Sequence, residues 1–506
     1  METVVQAVNK IFGFITPISD WLWEFPTNYR LWSDIPVVGN FSLAIILLVG
    51  TGIFLTVKTR FIQVSHFKDG IRSIITGRCV STGISPAASF FLSTAMRVGP
   101  GNIIGVTGAL TAGGPGALFW MWVSAFFGMA TAYAESVLAQ IFKRKDGADF
   151  VGGMPFYGRK LLKDSALVGV GLTLLYMLYA LFCFPAQGFN TVSAVGEVAG
   201  ILTGKTYAQT SGLYWIAAGI IVVFTAYITF GGIKKVTRLT DKVVPFMAAL
   251  YCLTAAVLII INFDRIPYFF ASVFGGAFCP EAVFGGAFGI VIQQGIKRGL
   301  MSNEAGQGTI TMAAAAADTD HPCRQGLLQA VGVFLDTIVI CTMTGFIIIL
   351  GGLWLSEDSA KLLNLDKLPY FLASVDELTP SPVGGKVVKL LVASCFGMFS
   401  YTTLLGFISF SEISCSRISP KKGFKVLVRL LCLLVISFGM SCIMAGYKLD
   451  NLWAFSDLGN IVIVYVNLPL IFLGLKYVMK ATRHYKLADG SPFTAEIIGL
   501  ELDFWT

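Results

Sequence analysis

The sequence predicts an all-α integral membrane protein of about eleven transmembrane helices, and three observations carry that prediction. Hydrophobic residues make up 55% of the 506 residues and charged residues only 13%. Soluble domains average about 25% charged residues, so the polar residues are too few to cover water-facing surfaces. Apolar runs long enough to cross a bilayer, roughly 20 residues each, recur from Phe41 to Met479. The basic residues gather in short loops that alternate with these runs, as the positive-inside rule requires.

The candidate spans are 41–57, 85–111, 116–142, 166–200, 213–231, 243–263, 281–298, 327–355, 387–411, 425–446 and 451–480. With the N-terminus outside, 27 of the 37 Lys and Arg fall on the inner side and 8 on the outer, while Arg97 and Lys389 lie within spans. One missing span would scramble that alternation. The expected orientation is therefore N-terminus outside and C-terminus cytoplasmic, in the cell membrane. The formal charge of +8 follows from this topology, and nucleic acid is not an expected partner. The lipid bilayer is.

Residues 1–40 read as an extracytoplasmic segment. The stretch from Val4 to Trp23 is amphipathic, carries Trp21 and Trp23, and lacks the basic start and uninterrupted apolar core of a signal peptide; it reads as an interfacial helix. Span 41–57 stands alone as an extra first helix. The other ten divide into two sets of five, 85–263 and 281–480, which necessarily run in opposite orientation. Residues 481–506 form a cytoplasmic tail. The ten cysteines are scattered without a CxxC pair and read as small core residues, with neither a zinc site nor a disulfide framework.

The first member of each set looks interrupted. Val98-Gly99-Pro100-Gly101-Asn102 falls in mid-span, and 281–298 contains Gly285, Gly286, Gly289 and Gly295. Glycine also packs membrane helices closely, but a proline in mid-span frees backbone groups that need partners. Paired broken helices in two inverted halves point to the substrate site of a secondary transporter. One half-helix end offers N–H groups to a carboxylate and the other C=O groups to a cation. Asn102 adds an amide that donates and accepts. Thr402 and Thr403 carry hydroxyls suited to a hard cation, although threonine in membrane helices also bonds its own helix. Arg97, Glu135, Asp336, Lys389, Glu412 and Asp457 are ionisable residues within or beside spans, where charge is costly and generally functional. Enzyme signatures of the HExxH, GxSxG and GxxxxGK[ST] kinds do not occur, so no catalytic residue is assigned.

Two longer stretches then carry a resemblance. Pro100-Gly101-Asn102-Ile103-Ile104-Gly105-Val106 is followed by Gly113-Gly114-Pro115-Gly116-Ala117-Leu118-Phe119-Trp120-Met121-Trp122, and later by Arg298-Gly299-Leu300-Met301-Ser302-Asn303-Glu304-Ala305-Gly306 with an alanine run at 313–317. From about residue 40 to 480 the chain resembles the alanine/glycine:cation symporters, the sodium:alanine symporter family. The resemblance implies a LeuT-type five-plus-five inverted repeat after one extra helix, Na⁺ as coupling ion, and a small neutral amino acid such as alanine or glycine as substrate. It implies Na⁺ binding by carbonyls near Ala95 and Val98 with Thr402 and Thr403. It places the substrate among Val98, Gly99, Asn102, Ile292, Gly295, Thr403 and Phe407. Arg97, Asp336, Glu304, Gln187 and Asn190 are left as gating or structural residues. Pro100 stands where the family often has Thr, and Phe407 where Trp is usual. Asp336 keeps H⁺ coupling open as an alternative, and D-amino acids or serine remain alternative substrates.

Overall fold

The computed structural model describes residues 2–35, 38–76, 83–147, 149–278, 287–353, 366–447, 449–487 and 491–505. Among them the chain is helical apart from one antiparallel hairpin, in which Arg144–Asp146 pairs with Asp149–Val151. The main helices are α1 (Glu2–Glu24), α2 (Leu43–Lys58), α3 (Pro86–Arg97), α4 (Ile104–Gly113), α5 (Gly116–Ile141), α6 (Ala166–Thr203), α7 (Gly212–Thr229), α8 (Ile233–Ile261) and α9 (Ile266–Ala277). They continue with α10 (Ala287–Asn303), α11 (Thr311–Ala316), α12 (Pro322–Gly351), α13 (Lys367–Leu378), α14 (Pro382–Cys415), α15 (Lys422–Met444) and α16 (Leu449–Leu487). Eight of the described helices are long and apolar enough to cross a membrane, and α2 is a shorter apolar helix.

Local chemistry sets several boundaries. Ser85 accepts a hydrogen bond from Ala88 N (3.1 Å) ahead of Pro86, and Ser381 accepts one from Gly384 N (3.1 Å) ahead of Pro382. A serine N-cap followed by proline at the first helical position starts both helices. Within α12 the backbone pairing widens to a π-helix over Phe334–Cys341, a feature frequent at functional sites.

Two groups of helices enclose the centre. In one, α5 packs on α10 and α12, with α3, α4 and α11 beside them; in the other, α6 packs on α14, α15 and α16. The outer surface is apolar. On α7, Ile216, Ile220, Val223 and Tyr227 are each more than 60% exposed, at the spacing of one helical face. In water such a stripe is a liability; against lipid tails it is the required surface.

The N-terminal segment is more than an interfacial helix. Its α1 packs against α16 and α2, and Trp23 is only 1% exposed.

Candidate functional site

The first break is where the sequence places it. Helix α3 ends at Arg97, Val98 leaves the helical region (φ −74°, ψ 81°), a 3₁₀ turn covers Pro100–Asn102, and α4 resumes at Ile104. Asn102 holds this turn shut: its Oδ1 accepts from Gly99 N (2.8 Å), and its Nδ2 donates to Asp336 Oδ1 (2.6 Å). Asp336, carried by the π-helical segment, also accepts from Ser302 Oγ (2.7 Å) and Thr337 Oγ1 (2.8 Å). Both ends of the Asn102 amide are thus engaged with protein groups.

The second break lies elsewhere than expected. Helix α10 runs through Gly289, Gly295 and Gly299 to Asn303, and the interruption comes at 304–310. Gly285 and Gly286 lie outside the described residues. The reason is packing. A Cβ on Gly295 would collide with Ala117 O, and one on Gly299 would meet Ser124 Oγ at 2.6 Å, so these glycines let α10 approach α5. The chain turns instead through Glu304 (φ 56°), Gly306 (φ 89°) and Gly308 (φ 74°), where glycine is favoured because φ is positive. Buried Glu135 on α5 caps the turn, accepting from Gly306 N (3.2 Å), Gly308 N (3.0 Å) and Asn467 Nδ2 (2.8 Å).

Between the breaks lies a small, nearly closed cleft. Backbone and side chains of Gly99, Gly101, Glu304, Thr403 and Phe407 line it, with Tyr179 and Gln187 from α6. Phe407 packs its ring 5.8 Å from Tyr179 and 5.5 Å from Phe184, forming an aromatic wall. Thr403 Oγ1 lies 3.1 Å from Ala95 O and 2.8 Å from Phe399 O, joining α14 to the end of α3. A Cβ on Gly99 would stand 2.7 Å from that hydroxyl.

Not every residue named from the sequence converges here. Ile292 packs with Ile45 and Ile296 against Phe41 and Trp120, and Gly295 faces α5, so both turn away from the cleft. Thr402 Oγ1 donates to Met398 O (3.0 Å) within its own helix and lies near Met247 Sδ. Gln187 lines the cleft, and its Oε1, like Asn190 Nδ2 one turn on, is buried without a hydrogen-bond partner among the described residues. Arg97 is buried and donates to Asn303 O (3.0 Å) and Gln329 Oε1 (2.7 Å); a side chain at Gly332 would collide with its guanidinium. Glu304 accepts from Thr309 Oγ1 (2.7 Å). Sequence reading missed the capping role of Glu135, the orienting amide of Asn467 and the space left by Gly332. Only the buried acid at 135 within an apolar run gave a signal.

Among the described residues, the centre therefore holds three buried carboxylates, Glu135, Glu304 and Asp336, and one buried guanidinium, Arg97. Above the cleft, Lys297 Nζ and Arg298 Nη1 grip Asp457 at 2.8 and 3.0 Å, and Trp453, Ser456 and Asn460 of α16 line the cleft just beneath. Lys297 and Arg298, at the inner end of the expected span 281–298 and counted with the inner basic residues from the sequence, lie on α10 above the break.

Two broken helices packed as a pair, a central cleft and a ring of long membrane helices define a secondary transporter of the LeuT fold, not an enzyme. The solved structure of MhsT in complex with L-phenylalanine shares that fold: the TM-score is 0.57 at 12% identity, over 81% of this chain and 93% of that one. Residues 32–492 match the sodium:alanine symporter family, and the chain belongs to it. The sodium/alanine symporter AgcS of Methanococcus maripaludis is 35% identical over 447 residues, 87% of this chain and 93% of that protein. The putative sodium/proton-dependent alanine carrier YrbD of Bacillus subtilis is 31% identical over 509 residues, 97% of each chain.

Proposed function

We propose that this protein couples the entry of Na⁺ to that of a small neutral amino acid, alanine or glycine, by alternating access across the cell membrane. The observation that carries the reading is the excess of buried carboxylate over guanidinium around two helix breaks. Buried carboxylates stripped of water call for a positive partner, which a cation supplies. Ala95 O and Thr403 Oγ1, 3.1 Å apart, are the hard oxygens at the end of α3 that a Na⁺ would share, with the carbonyl of Val98 close by. Thr402 joins them only after rotating from its own helix.

The substrate carboxylate falls to the backbone beside Gly101, at the N-terminal end of α4. Asn102 supports this by pinning the turn. The ammonium group faces Glu304, and Phe407 with Tyr179 limits the side chain. N-terminus outside and tail in the cytoplasm remains the orientation that best accounts for the basic loops, even with Lys297 and Arg298 removed from the inner count.

The same excess of carboxylates can be met by H⁺, and Asp336, in direct contact with Asn102, is the group through which a proton would act. Uptake of labelled alanine into proteoliposomes decides between them. A Na⁺ gradient is expected to drive it, and Thr403→Ala to raise the Na⁺ concentration for half-maximal uptake by ~10-fold or more, about 1.4 kcal/mol. Uptake driven equally by a pH gradient without Na⁺ would replace Na⁺ by H⁺ in the mechanism.

A further inference from the structure

Helix α1 lies outside residues 32–492 that match the family, yet its last turn is among the best-anchored parts of the chain. Trp23 is 1% exposed and its Nε1 donates to Asp457 O (3.0 Å). Tyr465 Oη donates to the neighbouring Leu22 O (3.1 Å), and Leu43 N donates to Phe25 O (2.7 Å). These bonds tie the end of α1 to both α16 and α2.

The place where Trp23 docks matters more than how firmly it does so. Asp457 is the one carboxylate shared by Lys297 and Arg298 of α10. The indole of Trp23 covers this cluster: Lys297 Nζ stands 5.3 Å from its ring centroid, within cation–π range. On the opposite side Arg298 lies 5.1 Å from the ring of Trp453. The three charged side chains are 15% exposed or less. One turn below, Met301, Ser456 and Trp453 line the cleft. The ion pairs therefore bridge the two helix groups across one mouth of the cleft, and that mouth opens only if they separate.

Separating a desolvated ion pair costs more than separating a hydrated one. Whatever excludes water from Asp457 thus sets how often this mouth opens. We propose that Trp23 is a positioning residue of the gate: it fixes Asp457 through its main-chain carbonyl, shields the Lys297–Asp457–Arg298 cluster from water, and so biases the transporter toward closure on the face that carries α1. The inference rests on the alternating-access reading, and on the N-outside orientation for calling that face the outer one. Lys297 adds to Arg298 a second cation that remains when Asp457 is shared, so the mouth is net positive and suited to receive a carboxylate-bearing solute.

Cys183 is buried and lines the cleft, which makes it a native reporter. The test is its rate of labelling by a membrane-impermeant methanethiosulfonate in right-side-out and inverted vesicles, without Na⁺ or amino acid, with Cys183→Ser supplying the background. Trp23→Ala is expected to raise labelling from the α1 face ~10-fold or more, a decade in a two-state opening equilibrium, and to leave labelling from the other face equal or slower. Trp23→Phe keeps a ring but loses the N–H donor and is expected to give a smaller rise on the same face. An unchanged rate from the α1 face overturns the proposal. So does an equal rise from both faces, which marks a loosened fold and not a gate. Because the assay uses neither substrate nor ion, a wild-type protein that fails to take up alanine would sink the symport reading and leave this result standing.

Discussion

Gly99 and Gly108 sit nine residues apart in the chain, yet their surroundings demand different things of them. A Cβ on Gly99 meets Thr403 Oγ1 at 2.7 Å, inside normal contact, whereas one on Gly108 meets nothing within 4 Å. Gly99→Ala is therefore expected to push α14 away from the end of α3 and to lower Na⁺-dependent uptake by ~10-fold or more, while Gly108→Ala leaves it within about twofold. Uptake in proteoliposomes at matched protein content is the check. At this scale the sequence identified Gly99, Asn102, Thr403 and Phe407 near the cleft. It did not reveal that Asn102 spends its amide on Gly99 and Asp336. An amide's partner 234 residues away leaves no trace in local sequence.

Among the elements, the second break is the most instructive. Glycines at 289 and 295 read as interruption but lie within α10, where Gly295, like Gly299, is a close-packing position against α5 and Gly289 faces Asn40. The turn at 304–310 is shaped by glycines at positive φ and by one carboxylate from another helix. Glu135 receives two main-chain N–H groups of that turn, so Glu135→Gln, which keeps the shape but replaces one acceptor oxygen with a donor, leaves a buried N–H facing another donor. The cost of such an unsatisfied group is ~1–3 kcal/mol. The expected outcome is a protein that melts a few degrees lower and transports at least ~5-fold more slowly, read by thermal unfolding in detergent and by uptake. Unchanged melting and uptake would mean that the break is held by its glycines alone.

Across the whole molecule, the tail closes connections between helices far apart in sequence. His321, at the start of α12, accepts from Cys323 N at Nδ1 (3.0 Å). Its Nε2 faces His484 Nδ1 (3.1 Å), and His484 Nε2 faces Ser491 Oγ (2.9 Å). The backbone donor makes Nδ1 an acceptor, so the proton sits on Nε2 and is donated to His484, which passes the same order on to Ser491. A second proton on His321 would oppose the Cys323 N–H. Burial, then His484 and Arg324, push the His321 pKa down from 6.5 to about 3. The unfolded chain takes up this proton near pH 6.5 and the folded chain does not until about pH 3, so the unfolded state binds more protons in between and stability falls as pH drops through that window. Thermal unfolding measured between pH 6.5 and 4 should show a steeper acid loss in the native chain than in His321→Gln; parallel slopes would remove His321 as the cause.

The sequence by itself determined the membrane class, the helical make-up and the first break, because apolar run length, charge alternation and a mid-span Gly-Pro-Gly are local properties that the bilayer reads directly. Its long motifs also determined the family. Tertiary structure alone decided where the second helix breaks, which way Ile292, Gly295 and Thr402 face, and that Trp23 and Asp457 meet, 434 residues apart. Those outcomes depend on which helix packs against which, and a buried carboxylate or a close-approaching backbone acts on its partner only after the fold has brought the two together.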